Sequence, residues 1–385
     1  MSLSPDIAMP IALLIVVTVA MLLNKRTEGK LMATVEQKEF KTRDTVLLIV
    51  FMAIIISVIA YTSYLNPGAI FQNILTLIFL SSYTMLLFTF SYVFSNIPKV
   101  RSQILSVCFG IASLIAGSAM MLPQFQDSFT IFRVAAFYGL AIFCFGVALY
   151  EQKNSVSKPR WYLAIQPPAI FVLLFVFFNF ISNAGTDAIW APYLMDVFGF
   201  TFAILIILYL SSLFSWKTVG LFAILLTAMD IILVIGTGTM VQAANQFTGL
   251  GLPVLVYLPN VPLMFRDGHI LLRGLGLGDF FFAGVLAVQT YNKFGKKIAL
   301  ISVVAMAIAF AIWEAFLGNI ISWFQSIGHP IGGFPGTLMI ISGWAPIIAW
   351  AVLTHKSLKT AEQPAPQQQS VTPTEPLPEN KPTEQ

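Results

Sequence analysis

Residues 225–238 read LLTAMDIILVIGTG and residues 273–288 read RGLGLGDFFFAGVLAV, so each stretch carries one aspartate, Asp230 or Asp279, through apolar sequence. An ionisable group at the centre of a bilayer costs about 3 kcal/mol or more, and such residues usually face a bundle interior and serve a function. The rest of the chain supports a membrane setting. It is 57% hydrophobic and only 10% charged, with a mean hydropathy of +0.83, whereas soluble domains hold about a quarter charged residues. The expected fold is therefore all-α, a polytopic transmembrane helix bundle.

About 20 apolar residues cross a bilayer as a helix. Eleven such spans are expected, near 6–23, 45–65, 69–94, 104–122, 130–150, 162–182, 189–213, 218–240, 273–292, 298–323 and 334–354. The charged loops check that count. Lys25, Arg26, Lys30, Lys38, Lys41 and Arg43 fill the first loop. Lys99 and Arg101, then Lys153, Lys158 and Arg160, then Lys217, then Lys293, Lys296 and Lys297 mark every second loop after it. The short alternate loops near 66–68, 123–129, 183–188 and 324–333 hold no Lys or Arg. Eleven spans put all the basic loops on one side, with the N-terminus outside and the C-terminus in the cytoplasm. In a prokaryote that membrane would be the plasma membrane. The first apolar run lacks a basic residue before it and has Lys25-Arg26 after it, the pattern of a first transmembrane helix rather than a cleavable signal.

Three regions follow: an N-terminal bundle of about seven spans (1–213), a second transmembrane core (214–355) and a Pro/Gln/Glu-rich tail (356–385) too polar to pack, expected to be disordered. The one long external loop, 244–272, is broken by prolines and glycines, while Val254-Leu255-Val256-Tyr257 has strand character. The net charge of +4 is spread over loops and implies no nucleic-acid partner; membrane lipids are the expected surroundings. Cys108 and Cys144 both fall in apolar spans and read as packing residues. His269, His329 and His355 are the only histidines, with no zinc-ligand spacing and no H-E-x-x-H, so no metal or other cofactor is expected.

Asp230 lies 13 residues beyond Lys217 and Asp279 lies 14 before Lys293. On antiparallel helices both carboxylates then sit roughly 20 Å from the same boundary at 1.5 Å per residue. Gly274, Gly276 and Gly278 just before Asp279 would let backbones approach closely. Two carboxylates a few ångströms apart in low dielectric share one proton and titrate as a unit. Such a pair can hold a water between a base and an acid, which suits hydrolysis of a peptide bond. The same residues, with Glu314, could instead carry protons through a coupled transporter. Asp196, behind Pro192, is expected near the outer boundary, and Glu314 as a structural hydrogen-bonding group or a cavity residue.

Gly274-Leu275-Gly276-Leu277-Gly278-Asp279-Phe280 resembles the Gly-x-Gly-Asp motif of presenilins and signal peptide peptidases, the intramembrane aspartyl proteases. Met229-Asp230 stands where that family has Tyr-Asp. Gly236-Thr237, Met240-Val241 and Ala244 resemble the continuation of that helix in signal peptide peptidases. Pro335-Gly336-Thr337-Leu338 is similar to the family's Pro-Ala-Leu element, keeping the proline and departing at the next two residues; Pro335 also suits an ordinary helix start. The resemblance covers roughly 217–350 and implies a presenilin-like C-terminal core with extra N-terminal helices. It implies Asp230 and Asp279 as the catalytic pair, and Gly276, Gly278, Pro335, Gly336, Thr337 and Leu338 as residues shaping the substrate site. With the inter-aspartate loop outside, the implied orientation is that of signal peptide peptidases, and the implied substrates are transmembrane helices or remnant signal peptides. A catalytically inactive, helix-binding member of the same fold is the further alternative.

Overall fold

The structure is a computed structural model, and it describes residues 6–34, 40–64, 69–123, 126, 128–153, 160–180, 190–266, 269–329 and 331–361. The tail beyond 361 and the loops around 67, 157 and 185, for which expectations were stated, lie outside the described residues.

The helices are α1 (Ala8–Thr34), α2 (Thr42–Tyr64), α3 (Ala69–Val93), α4 (Lys99–Ala119), α5 (Thr130–Lys153), α6 (Trp161–Ala164), α7 (Gln166–Phe175), α8 (Met195–Leu210), α9 (Trp216–Ile231), α10 (Thr239–Gly249), α11 (Leu277–Phe294), α12 (Lys296–Ser326) and α13 (Gly336–Ala361). Among the described residues, ten helical stretches are long and apolar enough to cross a membrane, and they coincide with ten of the eleven expected spans. The remaining one is α11, 18 residues long, in which Asp279, Gln289, Asn292 and Lys293 dilute the apolar sequence. The chain is an all-α, multi-pass helix bundle.

Helix α11 forms the centre. Phe280 through Thr290 are buried without interruption, as expected for a helix apolar all round rather than along one stripe. It packs against α1, α8, α9, α12 and α13. Its contact with α8 is close because Gly284 lacks a side chain: a Cβ there would lie 2.5 Å from the Ile207 side chain. At the far end of α11, Gln289 Nε2 donates to the carbonyls of Ser211 (2.9 Å) and Phe214 (2.7 Å) in the turn that follows α8.

Helices on both sides of residue 214 share this core, since α1 lies against α8, α11 and α12, and α2 lies against α9 and α10. Helices α4 and α5 form a hairpin whose further packing is mainly on α7. Its interface is a stripe of small residues, Ser102, Ser106, Gly110, Ser113 and Gly117. The close approach at Gly110 to Phe145 and at Gly117 to Tyr138 is what small residues spaced three or four apart permit between membrane helices.

The strand character of 254–257 is realised one residue later. Strand β1 (Leu255–Pro259) pairs antiparallel with β4 (Leu272–Gly276), with Leu255 opposite Gly276 and Pro259 opposite Leu272. Between them β2 (Phe265–Arg266) pairs with β3 (His269–Ile270). The sheet is anchored to the bundle: Val256 is fully buried against Gly199 of α8, and Asp196 Oδ1 accepts from the Tyr257 N–H at 2.6 Å. Asp196 is therefore a strand-pinning acceptor.

Candidate functional site

Helix α9 starts at a capping box in which Ser215 and Thr218 satisfy each other's backbone donors, the Ser215 N–H donating to Thr218 Oγ1 at 2.8 Å. Asp230 sits in its last turn. The span expected to run on to residue 240 breaks here instead. A π-helical turn, Ile232–Gly236, follows, and Gly238 takes φ +68°, a left-handed conformation that suits glycine, before α10 begins. The break ends the membrane helix one turn beyond Asp230 and turns α10 across the site.

Asp279 is the third residue of α11, directly after β4 and the extended Gly276. Pro335 ends the chain's approach to α13, whose first two residues are Gly336 and Thr337. The two aspartates meet at this third helix start. Asp230 Oδ2 accepts from Thr337 Oγ1 at 2.6 Å and from the Thr337 N–H at 3.2 Å. The Asp279 carboxyl lies over the adjacent residue: a Cβ on Gly336 would stand 2.6 Å from its Cγ and 2.8 Å from Oδ2. Gly276 flanks the other side, where a Cβ would be 3.4 Å from Oδ2. Unpaired N–H groups at a helix start and the positive end of the helix dipole favour negative charge at that position. Asp279 also occupies the first turn of its own helix, so two helix N-termini converge on the pair.

Asp230, Asp279, Gly276, Gly278 and Thr337 line one cavity of ≈ 160 Å³. Its remaining wall is largely apolar, with Met229, Phe281, Met240 and Phe247 among the residues. Gly336 touches Asp279 from below. Pro335 is buried and accepts from the Met339 N–H at 3.4 Å, so it acts as a helix start, and Leu338 is not among the cavity residues. Glycine at 336 has a steric reason, since a Cβ there would crowd the Asp279 carboxyl, and Thr337 supplies a hydroxyl donor to Asp230.

Two residues of the wall, Met52 and Ile56, come from α2. Nothing in their sequence marks them, because an apolar residue facing a cavity and one facing lipid look alike. Glu314 lies away from the pair. Its Oε1 accepts from Arg273 Nη1 of β4 at 3.1 Å, both side chains being largely buried. Among the described residues no three His, Cys, Asp or Glu side chains converge as a metal site would require. A scan of protein-family models, a comparison with curated proteins and a comparison with solved structures each return no match to this chain.

Proposed function

We propose that this chain is an intramembrane aspartyl endopeptidase, hydrolysing a peptide bond within a transmembrane segment or a remnant signal peptide. One observation carries the reading: Gly336 and Thr337 at the start of α13 bind both aspartates, Thr337 by hydrogen bonds to Asp230 and Gly336 by contact with Asp279. A transporter needs intramembrane carboxylates, but it has no need to gather two of them at one helix start beside a small cavity.

With Oδ2 of Asp230 occupied by Thr337, its Oδ1 remains to orient a water. One carboxylate takes a proton from that water as its oxygen bonds to the scissile carbonyl carbon, and the partner carboxyl delivers its proton to the carbonyl oxygen. Collapse of the diol then breaks the C–N bond, and the departing nitrogen receives a proton from the pair. No metal or organic cofactor takes part.

A helical substrate hides its scissile bond in its own hydrogen-bond ladder and must be extended locally. Strand β4 runs directly into the Asp279 helix and, in a two-stranded sheet, keeps one edge unpaired by β1. Backbone pairing of an unwound substrate along that edge would deliver a carbonyl to the cavity. Deletion of residues 253–258, which removes most of β1 and with it the partner that holds β4, should abolish cleavage, and retained cleavage would remove the sheet from the mechanism. The basic loops support an orientation with the N-terminus outside and the C-terminus cytoplasmic. Substrates would then be single-span proteins with a cytoplasmic N-terminus.

The test is cleavage of a reporter transmembrane peptide by purified protein in vesicles. Loss of product with Asp230→Ala and with Asp279→Ala, in variants that keep the parent Tm, is the expected result. Unchanged cleavage in either variant rejects the pair. Binding of the peptide without cleavage by the parent protein would point to the helix-binding alternative.

A further inference from the structure

Away from the aspartates, α1, α3 and α8 leave an open cleft of ≈ 590 Å³ between them. Seven residues separate Leu208 from Thr201 on α8, both in the wall, so the cleft runs about 10 Å along the helix axis. Its wall is largely apolar, with Leu87, Leu105 and Leu205 among the residues and Ser91 and Thr201 as polar interruptions. Arg26 belongs to the Leu208 end, because Asn24, two residues before it, accepts from the Ser211 hydroxyl just past α8 at 3.2 Å. That end belongs to the side of the bundle carrying the basic loops.

Arg26 is exposed and takes part in no ion pair or hydrogen bond among the described residues. Its neighbours are differently committed. The Lys25 ammonium lies 5.4 Å from the centre of the Tyr291 ring. Arg160, close behind Ser95, donates to Glu151, Ser102 and the Ile97 carbonyl. Among the described residues, therefore, the Arg26 guanidinium has no protein partner and stands at one end of a largely apolar slot, on the side of the basic loops.

We propose that this cleft is a binding site for an anionic phospholipid, with an acyl chain between α3 and α8 and the phosphate against Arg26. Guanidinium pairs with phosphate through parallel N–H···O bonds. Basic pockets between helices at the leaflet surface select anionic headgroups, with about 1 kcal/mol per basic residue, or roughly fivefold in affinity. Bound there, the lipid joins α3 to α1 and α8, which pack on α11, and so ties the outer part of the bundle to its centre.

The experiment is native mass spectrometry of the detergent-purified full chain titrated with phosphatidylglycerol or phosphatidylcholine, with Tm read in parallel. The expected result is roughly fivefold tighter retention of phosphatidylglycerol and a higher Tm with it. Arg26→Gln should erase that preference, and Arg43→Gln, a basic control in the first turn of α2, should keep it. Leu205→Trp, which fills the slot, should lower retention of both lipids. Equal retention of the two lipids by the parent protein, or an unchanged preference in Arg26→Gln, overturns the proposal. Arg26 is a surface residue, so this variant remains informative if Leu205→Trp fails to fold.

Discussion

At Gly336 and Thr337 two neighbouring residues perform different tasks on two different carboxylates. The Thr337 hydroxyl and N–H both reach Asp230, so Thr337→Val keeps the backbone donor and loses the 2.6 Å hydrogen bond. Hydrogen bonds to charged groups contribute about 1.5–3 kcal/mol. The expected outcome is a loss of cleavage of tenfold or more, measured on the reporter peptide, with Thr337→Ser restoring most of it. Gly336→Ala tests contact instead of donation. The new methyl group would stand 2.8 Å from Asp279 Oδ2, and the carboxyl is the part that can yield. Cleavage should fall at least tenfold while Tm changes little. A fully active Gly336→Ala protein would mean that Asp279 works from a different rotamer.

Two elements hold the pair's supports in place. Strand β4 delivers Asp279, and its Arg273 is tied to Glu314 of α12 at 3.1 Å in largely buried surroundings. Removing one partner of a buried ion pair leaves a charge uncompensated and costs about 3–5 kcal/mol, whereas replacing both by apolar groups is often tolerated. Arg273→Met should therefore lower Tm sharply, and the Arg273→Met/Glu314→Leu double variant should recover much of the loss. A purely additive double variant would show that the pair is not coupled. Helix α11 supplies the second support. Its approach to α8 depends on Gly284, so Gly284→Val should overpack against Ile207 and cost about 1–3 kcal/mol of stability.

At the scale of the molecule, the first two helices belong to the core that carries the aspartates. Helix α1 packs against α11, and α2 contributes Met52 and Ile56 to the cavity wall. The long-range arrangement thus uses residues from both ends of the chain to enclose a polar pair. Enclosure matters because non-helical backbone and charge at membrane depth are tolerated only where protein or a water-filled cavity surrounds them. Cysteines introduced between α1 and α2 and in the 123–129 loop should label from opposite sides of sealed vesicles, with the basic α1–α2 connection on the cytoplasmic side. Labelling of both from one side would refute the orientation drawn from loop charge.

Much of this protein is written locally. Hydrocarbon thickness dictates the length of each span, and the cost of charge in lipid singles out Asp230 and Asp279, so the bundle and the candidate pair are legible from sequence alone. The strand at β1 was legible to within two residues because prolines and glycines isolate a short apolar run with valines and a tyrosine. The interruption after Asp230 was not. Gly236 and Gly238 permit a break without requiring it, and α10 turns there because packing against α2 favours it. Only the tertiary structure brings Gly336 and Thr337 between the two carboxylates and pairs Glu314 with Arg273. Those contacts join residues 41 to 107 positions apart. Hydropathy measures how a residue partitions into lipid, whereas partner choice among buried polar groups depends on which helix faces meet.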